Sequence, residues 1–239
     1  MLEIDYFRTM GFGPGGWGEL MLIAAAMSVA VAASGFLVGT VFGSLACWAR
    51  LSRSAPARLI ADAYATALRG IPDLLVIYLL YFGGSSLLSR VAAIFGSSGF
   101  VSAPTFATGA LAIGCVSGAY QSEVLRGAFL AIQTGQLEAG RAYGMNTAKL
   151  LRRIIVPQLV RYAIPGMENV WQLVLKESAL ISVIGLVELM RQSAVGSGST
   201  HQPFYFYATA ALLYLAISSV TGWGFRSLEA HASRGVRRA

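Results

Sequence analysis

Long apolar stretches alternate with short, mostly basic segments along the chain. Five stretches reach the roughly 20 mainly apolar residues that a helix needs to cross a bilayer. They lie at about 19–48, 59–84, 104–125, 163–189 and 204–224. Two of them also carry ionisable residues: Asp62, Arg69 and Asp73 in the second, and Glu168, Lys176, Glu177 and Glu188 in the fourth. The pattern predicts an all-α membrane protein with about five transmembrane helices.

The segments between these stretches differ in character. Residues 85–103 and 190–203 are rich in glycine and serine and are predicted to be loops. The longest connection, about 127–162, has helix-forming residues with a basic face between 136 and 155, which predicts short helices within it. The chain therefore divides into an N-terminal segment 1–18, a membrane domain 19–224 and a basic tail 225–239.

The basic residues of the connections predict an orientation. The connections after the first, third and fifth stretches hold 13 Lys and Arg residues, against 3 on the opposite side. Lys and Arg are enriched in cytoplasmic loops. The N-terminus is therefore predicted to lie outside the cell, with the 127–162 connection and the C-terminus in the cytoplasm.

Composition supports a membrane location and excludes several kinds of site. Hydrophobic residues make up 56% of the chain and charged residues 12%, about half the charged share of a soluble domain. The net charge of +7 is spread over the connections, so a nucleic-acid surface is not indicated. Cys47, Cys115, His201 and His231 have no metal-binding or catalytic spacing. We predict neither a metal site nor a catalytic residue.

Three small residues repeat in the first stretch. Gly35, Gly39 and Gly43 have the small-xxx-small spacing that lets helix backbones approach closely. Packing within the chain is the favoured interpretation, and contact with another subunit is the alternative.

A spaced motif lies in the 127–162 connection. It reads Glu138-Ala139-Gly140, three residues, Gly144, nine residues, Ile154, one residue, Val156-Pro157. This resembles the EAA loop of bacterial ABC-importer permeases, in which Ala stands at the position of Gly140 and Leu at that of Val156. Both departures keep a small or apolar side chain.

Other segments narrow the resemblance to permeases of polar amino-acid importers. They are Arg69-Gly70-Ile71-Pro72-Asp73-Leu74, the run from Gly118 to Gly127, Lys176-Glu177-Ser178-Ala179-Leu180 and Pro203-Phe204-Tyr205-Phe206. Within that group the chain is most similar to the Q-type permease of histidine/lysine/arginine/ornithine importers and their opine-uptake relatives.

The resemblance implies a type I ABC-importer permease fold in the bacterial inner membrane. It also implies several partners: a paralogous permease subunit, two ATPase subunits, a periplasmic amino-acid-binding protein and the surrounding lipid. The chain has no GxxxxGK[ST] phosphate loop. We therefore expect no cofactor in this chain and no enzymatic activity, with ATP used by the partner ATPase.

The expected function is passage of a polar, basic amino acid (histidine, arginine, lysine or ornithine). One alternative is import of an opine such as octopine or nopaline. An alternative of another class is a passive channel, with acidic residues as cation rings. A gate-only role, in which the paralogue holds the ligand, is also open.

The resemblance assigns ATPase coupling to the motif, whose residues are Glu138, Ala139, Gly140, Gly144, Ile154 and Pro157. Ala139 and Gly140 are expected on the contact face of a short helix. Gly144 is expected to provide a turn or to avoid a clash, and Pro157 to end or kink the following helix. The alternative is a basic helix lying on the anionic leaflet.

Ionisable residues inside a membrane are costly and often mark a substrate path. The candidates here are Glu177, Lys176, Asp73, Arg69 and Ser178. Glu177 is the first candidate for binding a ligand cation, with structural pairing, for instance to Arg69 or to the partner subunit, as the alternative. Asp73 follows Pro72 and is interpreted as a helix cap or as part of a broken, ligand-lining helix. Glu188 and Arg191 are expected to form a solvated pair.

Overall fold

Helices make up all the regular structure in the parts of the chain that a computed structural model describes, residues 2–94 and 102–233. They are α1 (Leu2–Thr9), α2 (Gly18–Leu51), α3 (Ala55–Gly70), α4 (Asp73–Ile94), α5 (Thr105–Leu130), α6 (Thr134–Ala142), α7 (Thr147–Leu150), α8 (Val156–Glu177), α9 (Leu189–Thr200) and α10 (Pro203–Ala232). A π-helical segment, Leu151–Ile155, joins α7 to α8, and a 3₁₀ segment, Ser178–Ile184, follows α8. Residues 234–239 of the basic tail, and 95–101 of the predicted 85–103 loop, lie outside the described residues.

The predicted membrane stretches map unevenly onto these helices. By length and composition, α2, α4 and α10 are apolar enough to cross a membrane. The second predicted stretch is two helices, because the chain between α3 and α4 is extended at Ile71 and Pro72 lacks a backbone donor. The fourth ends as α-helix at Glu177 and continues as the 3₁₀ segment.

The centre of the bundle is the contact between α2 and α5. Gly35 faces Ile113, Gly39 faces Ser117 and Gly43 faces Gln121. Because both series of numbers rise together, the two helices run parallel. A Cβ on Gly43 would lie 2.8 Å from the Gln121 Cβ, so only glycine permits this approach.

Helix α8 runs antiparallel to both α5 and α10. Gly166 of α8 faces Val124, whereas Ile181, beyond its end, faces Gly109. Toward α10, Gln172 exchanges hydrogen bonds with Ser218 at 2.6 and 3.2 Å. Buried residues from α2, α4, α5 and α8, with the 3₁₀ segment, form the main apolar core.

The prediction that residues 190–203 form a loop is largely wrong. Residues up to Thr200 form α9, and the part of the 85–103 segment up to Ile94 is helical too. Gly196 of α9 packs on the Phe206 ring of α10, which gives this glycine-containing helix a tertiary reason to form. The short helices predicted between 136 and 155 are present as α6, α7 and the π segment.

Candidate functional site

The motif loop forms a compact two-helix unit. Helix α6 ends at Ala142, and Gly144 turns the chain with φ of 74°. Apart from its two chain neighbours, no atom of the described residues lies within 4 Å of a Cβ built on Gly144, so of the two expected roles the turn applies and the clash does not. The Asn146 side chain then accepts a hydrogen bond of 2.9 Å from the Lys149 backbone and caps α7.

The six motif residues are divided between the inside and the outside of this unit. Gly140 is buried against Leu150 and Ile154, whose Cδ1 atoms would lie 2.6 and 2.8 Å from an added Cβ. It therefore packs within the loop, and its expected place on an outer contact face is wrong. Glu138 and Ala139 are exposed. Pro157 lies in the first turn of α8, directly after the π segment.

Three basic side chains share a groove on the same unit. It is lined by Lys149, Arg152 and Arg153, with Asn146 and Ala148. Within the described ranges, none of the three cations forms an ion pair. The groove therefore presents positive charge to whatever lies outside the loop.

Two carboxyl groups meet at the interruption between α3 and α4. Asp73 is the first residue of α4 and Glu177 is the last residue of α8, and their carboxyls are within hydrogen-bonding contact. Glu177 is 7% exposed, and its Oε1 is buried with no hydrogen-bond partner among the described residues. Two ionised carboxylates in contact repel each other, so this pair favours a cation or a proton between them. Lys176 is exposed on the neighbouring position.

Tyr120 of α5 completes this cluster, and the sequence reasoning did not single it out. Its hydroxyl interacts electrostatically with Asp73, Glu177 and Arg69. The Arg69 guanidinium carbon lies 5.6 Å from the centre of the Tyr120 ring, within cation–π range. Only the run Gly118 to Gly127, quoted for its resemblance, pointed to this part of α5.

Arg69 pairs with Glu123 and not with Glu177, so the suggested Arg69–Glu177 pair is wrong. One Arg69 Nη atom lies 2.9 Å from Glu123 Oε1. The Glu123 carboxylate also forms ion pairs with an Nη atom of Arg50 at 2.9 Å and with an Nη atom of Arg126 at 3.2 Å. Arg50 in turn reaches Asp62 at 2.7 Å. We call these five side chains the Glu123 network; it joins α2, α3 and α5.

Ser178 is directed away from the carboxyl pair. Its Oγ donates a 2.7 Å hydrogen bond to the Leu175 carbonyl and also contacts the Tyr214 hydroxyl. Of the five predicted pathway residues, the structure therefore brings Asp73, Glu177 and Arg69 around Tyr120 and leaves Ser178 outside.

The expected solvated pair of Glu188 and Arg191 is also wrong. Glu188 is fully buried and caps α9, accepting from the Met190 and Arg191 backbone amides at 2.9 and 2.7 Å. It also accepts from Ser28 Oγ at 3.1 Å and from the Tyr214 hydroxyl at 3.2 Å. All these donors satisfy the carboxylate, which makes Glu188 a structural tie between α2, α9 and α10. The Arg191 side chain is exposed.

Comparison with known protein families gives one match over most of the chain. Residues 35–234 match the family described as binding-protein-dependent transport system inner membrane component.

Curated relatives match over nearly the whole length. The octopine transport system permease protein OccQ of Rhizobium radiobacter is 65% identical over 235 residues, covering 98% of this chain and 99% of the relative. The nopaline transport system permease protein NocQ of Agrobacterium fabrum is 48% identical, covering 95% and 96%. The histidine/lysine/arginine/ornithine transport system permease protein HisQ of Escherichia coli is 33% identical, covering 94% and 98%.

Solved structures share the helical architecture. A chain from a crystal structure of an amino acid ABC transporter with histidines superposes with a TM-score of 0.76 at 28% identity, covering 90% of this chain and 95% of that one. A chain of the MetNI methionine ABC transporter in an inward-facing conformation gives 0.68 at 18% identity, covering 90% and 97%. The second likeness concerns the fold alone.

Proposed function

Because the chain belongs to the family of binding-protein-dependent transport system inner membrane components, we propose that it is the permease subunit of an importer for an octopine-type opine. The family consists of non-enzymatic inner-membrane subunits of ABC importers, and ATP hydrolysis belongs to a separate subunit. The type I importer fold is confirmed. The passive-channel alternative has no support.

Sequence identity favours the opine alternative over the basic amino acid. Identity is 65% to an octopine permease, 48% to a nopaline permease and 33% to a permease for histidine, lysine, arginine and ornithine. Octopine is an N-carboxyethyl derivative of arginine, so it keeps the guanidinium cation and adds a second carboxylate. The 65% identity over 98% of the chain is the observation that carries the proposal.

The ligand's guanidinium is proposed to bind at the carboxyl pair of Asp73 and Glu177. A guanidinium offers a planar set of N–H donors that fits carboxylates. Glu177 Oε1 is buried and unpartnered among the described residues, and an unpaired polar atom at such a site is costly. A ligand cation would supply a partner to Oε1, whereas a proton would neutralise the pair without a ligand. We propose that the cation takes this place when the ligand is bound, which is the ligand-binding role and not the gate-only role.

The motif loop is proposed to dock on the ATPase. Its outer face offers Glu138, Ala139 and Tyr143, the last 87% exposed. Gly140 and Ile154 lie inside the loop, where their packing would hold α6 in position against α7 and the π segment. The basic groove of Lys149, Arg152 and Arg153 suits an acidic surface beside this face. Lipid contact alone leaves the exposed Glu138 carboxylate unexplained, because the cytoplasmic leaflet is itself anionic.

The importer is proposed to contain a paralogous permease, two ATPase subunits and a periplasmic binding protein. The N-terminus is proposed to lie in the periplasm and the C-terminus in the cytoplasm. Reporter fusions test this: one after Met145 should be active only as a cytoplasmic reporter, and one after His201 only as a periplasmic one. A periplasmic signal at Met145 would contradict both the orientation and the docking loop.

The substrate proposal is tested by deleting the gene in its own organism. Uptake of labelled octopine and arginine is measured before and after deletion, and again after the wild-type gene is returned on a plasmid. We expect octopine uptake to fall at least tenfold and to recover with the plasmid, while arginine uptake changes less than twofold. Loss of arginine uptake with octopine uptake intact would restore the basic amino-acid interpretation.

A further inference from the structure

Arg69 lies between two groups of charged side chains. On one side its guanidinium is ion-paired with Glu123, within the Glu123 network. On the other it lies over the Tyr120 ring, and the Tyr120 hydroxyl interacts with both Asp73 and Glu177. The ligand-facing cluster therefore has an acidic half, Asp73 and Glu177, and a basic half, Arg69, on either side of Tyr120.

Arg69 is also free to leave Glu123 at little cost. Without Arg69, the Glu123 carboxylate would still have two ion-pair partners, Arg50 at 2.9 Å and Arg126 at 3.2 Å. Removing one partner of a buried pair is expensive only when a charge is left unpaired. The Arg69 side chain is 42% exposed, against 13% for Arg50. Of the arginines on Glu123, Arg69 alone contacts Tyr120 among the described residues.

We propose that Arg69 is a ligand-binding residue that exchanges Glu123 for a carboxylate of the ligand. The acidic half would hold the ligand's guanidinium while Arg69 holds its carboxylate, so the cluster selects ligands with both charges. A guanidinium and a carboxylate form two parallel, charge-assisted hydrogen bonds. Arg69 makes a single contact to Glu123, so it keeps further N–H donors for a carboxylate of the ligand. This inference rests on the proposed binding of the ligand cation at Asp73 and Glu177.

The test measures equilibrium binding to the purified complex of the permease subunits and the ATPase, without the binding protein. The probes are octopine, arginine and agmatine; agmatine is arginine without its carboxylate. We expect the wild-type complex to bind arginine at least fivefold more tightly than agmatine. Arg69→Gln should weaken octopine and arginine binding at least tenfold and agmatine binding less than twofold. Arg126→Gln, which removes another arginine from Glu123, is the matched control and should leave all three affinities within twofold.

Two further results separate the possible explanations. Glu123→Gln removes the competing carboxylate, so it should strengthen octopine binding severalfold without changing agmatine binding; an arginine with only a structural role would not produce this gain. Equal affinity of the wild type for arginine and agmatine, or equal loss of all three probes in Arg69→Gln, would overturn the role of Arg69. If Glu177→Gln leaves agmatine binding unchanged, the proposed cation site fails instead, whatever Arg69 does.

Discussion

Gly39 of α2 lies so close to Ser117 of α5 that a Cβ on Gly39 would overlap the Ser117 Oγ. The same is true of Gly35 against Ile113, one helical turn earlier. The glycine repeat is therefore used for packing within the chain, and that interpretation of the sequence is confirmed.

Replacing Gly39 with alanine should destabilise the protein. Overpacking of a close contact costs about 1–3 kcal/mol, because either α2 must move from α5 or Ser117 must shift. Gly83→Ala is the matched control, since no described atom outside the local turn of α4 lies within 4 Å of a Cβ at that position. Alanine there should be neutral or gain up to about 1 kcal/mol in helix propensity. Thermal melting of the purified complex gives the comparison, and equal melting temperatures for the two variants would contradict the packing argument.

Glu188→Ala should also lower stability. The substitution leaves the Met190 and Arg191 amides without their acceptor and removes the carboxylate from Ser28 and Tyr214. Each buried donor left unsatisfied costs about 1–3 kcal/mol. Tyr214→Phe removes the hydroxyl that donates to Glu188 and contacts Ser178, but leaves the carboxylate its other donors, and should cost about 1 kcal/mol.

Arg191→Gln serves as the control for Glu188, because its exposed side chain takes no part in the cap. Melting temperatures should fall in the order Arg191→Gln, Tyr214→Phe, Glu188→Ala. A Glu188→Ala protein as stable as Arg191→Gln would show that the buried carboxylate is dispensable.

Sequence patterns predicted the features that depend on neighbouring residues. Pro72 marked the interruption between α3 and α4, and local helix formers marked α6 and α7. Failures occurred where partners are distant along the chain. Glu188 was expected in solvent because its partner Ser28 is 160 residues away along the chain. Arg69 was expected to pair with Glu177 because no local sequence pattern links Arg69 to Glu123, which is 54 residues away.

The cluster around Tyr120 shows the same limit. Intramembrane charge alone drew attention to Asp73, Glu177 and Arg69. Tyr120 is uncharged and one of several tyrosines in apolar stretches, so only the packing of α5 against the end of α8 reveals its place between them. Gly140 was assigned to the wrong face because the pattern of α6 does not show that Leu150 and Ile154 fold back onto it.

Gly144→Val should uncouple transport without unfolding the protein. The backbone at Gly144 has φ of 74°, where a β-branched residue is strained. The turn between α6 and α7 would reshape and displace the exposed face of α6. Gly144→Asn is the control, because asparagine tolerates the left-handed region better.

The measurement for Gly144 is ATP hydrolysis by the complex with ligand and binding protein. Stimulation should fall at least tenfold in Gly144→Val and less than threefold in Gly144→Asn, with both complexes intact by gel filtration. Full stimulation in the valine variant would remove the loop from the coupling role.

Glu177→Gln should discriminate between ligands by charge. Glutamine keeps the shape of the side chain but loses the charge that we propose binds the ligand's guanidinium. Arginine binding to the complex without binding protein should weaken at least tenfold. Citrulline, which replaces the guanidinium with an uncharged ureido group, should be affected less than twofold.

Glu168→Gln is the matched control for Glu177, since Glu168 lies on the same helix but faces Gly222 of α10. It should leave both ligands unaffected. Equal weakening of arginine and citrulline by Glu177→Gln would point to a structural carboxylate, and no effect on either would favour the gate-only role.

The length of α2 has a mechanical consequence. Its 34 residues extend for about 50 Å at 1.5 Å per residue, whereas the hydrocarbon core of a bilayer is about 30 Å thick. The helix is therefore longer than the hydrocarbon core is thick. Either its ends extend beyond the lipid tails, or the helix tilts so that more of it lies within them. Because the glycine contacts hold α5 against α2 over three successive helical turns, any change in the tilt of α2 has to carry α5 with it.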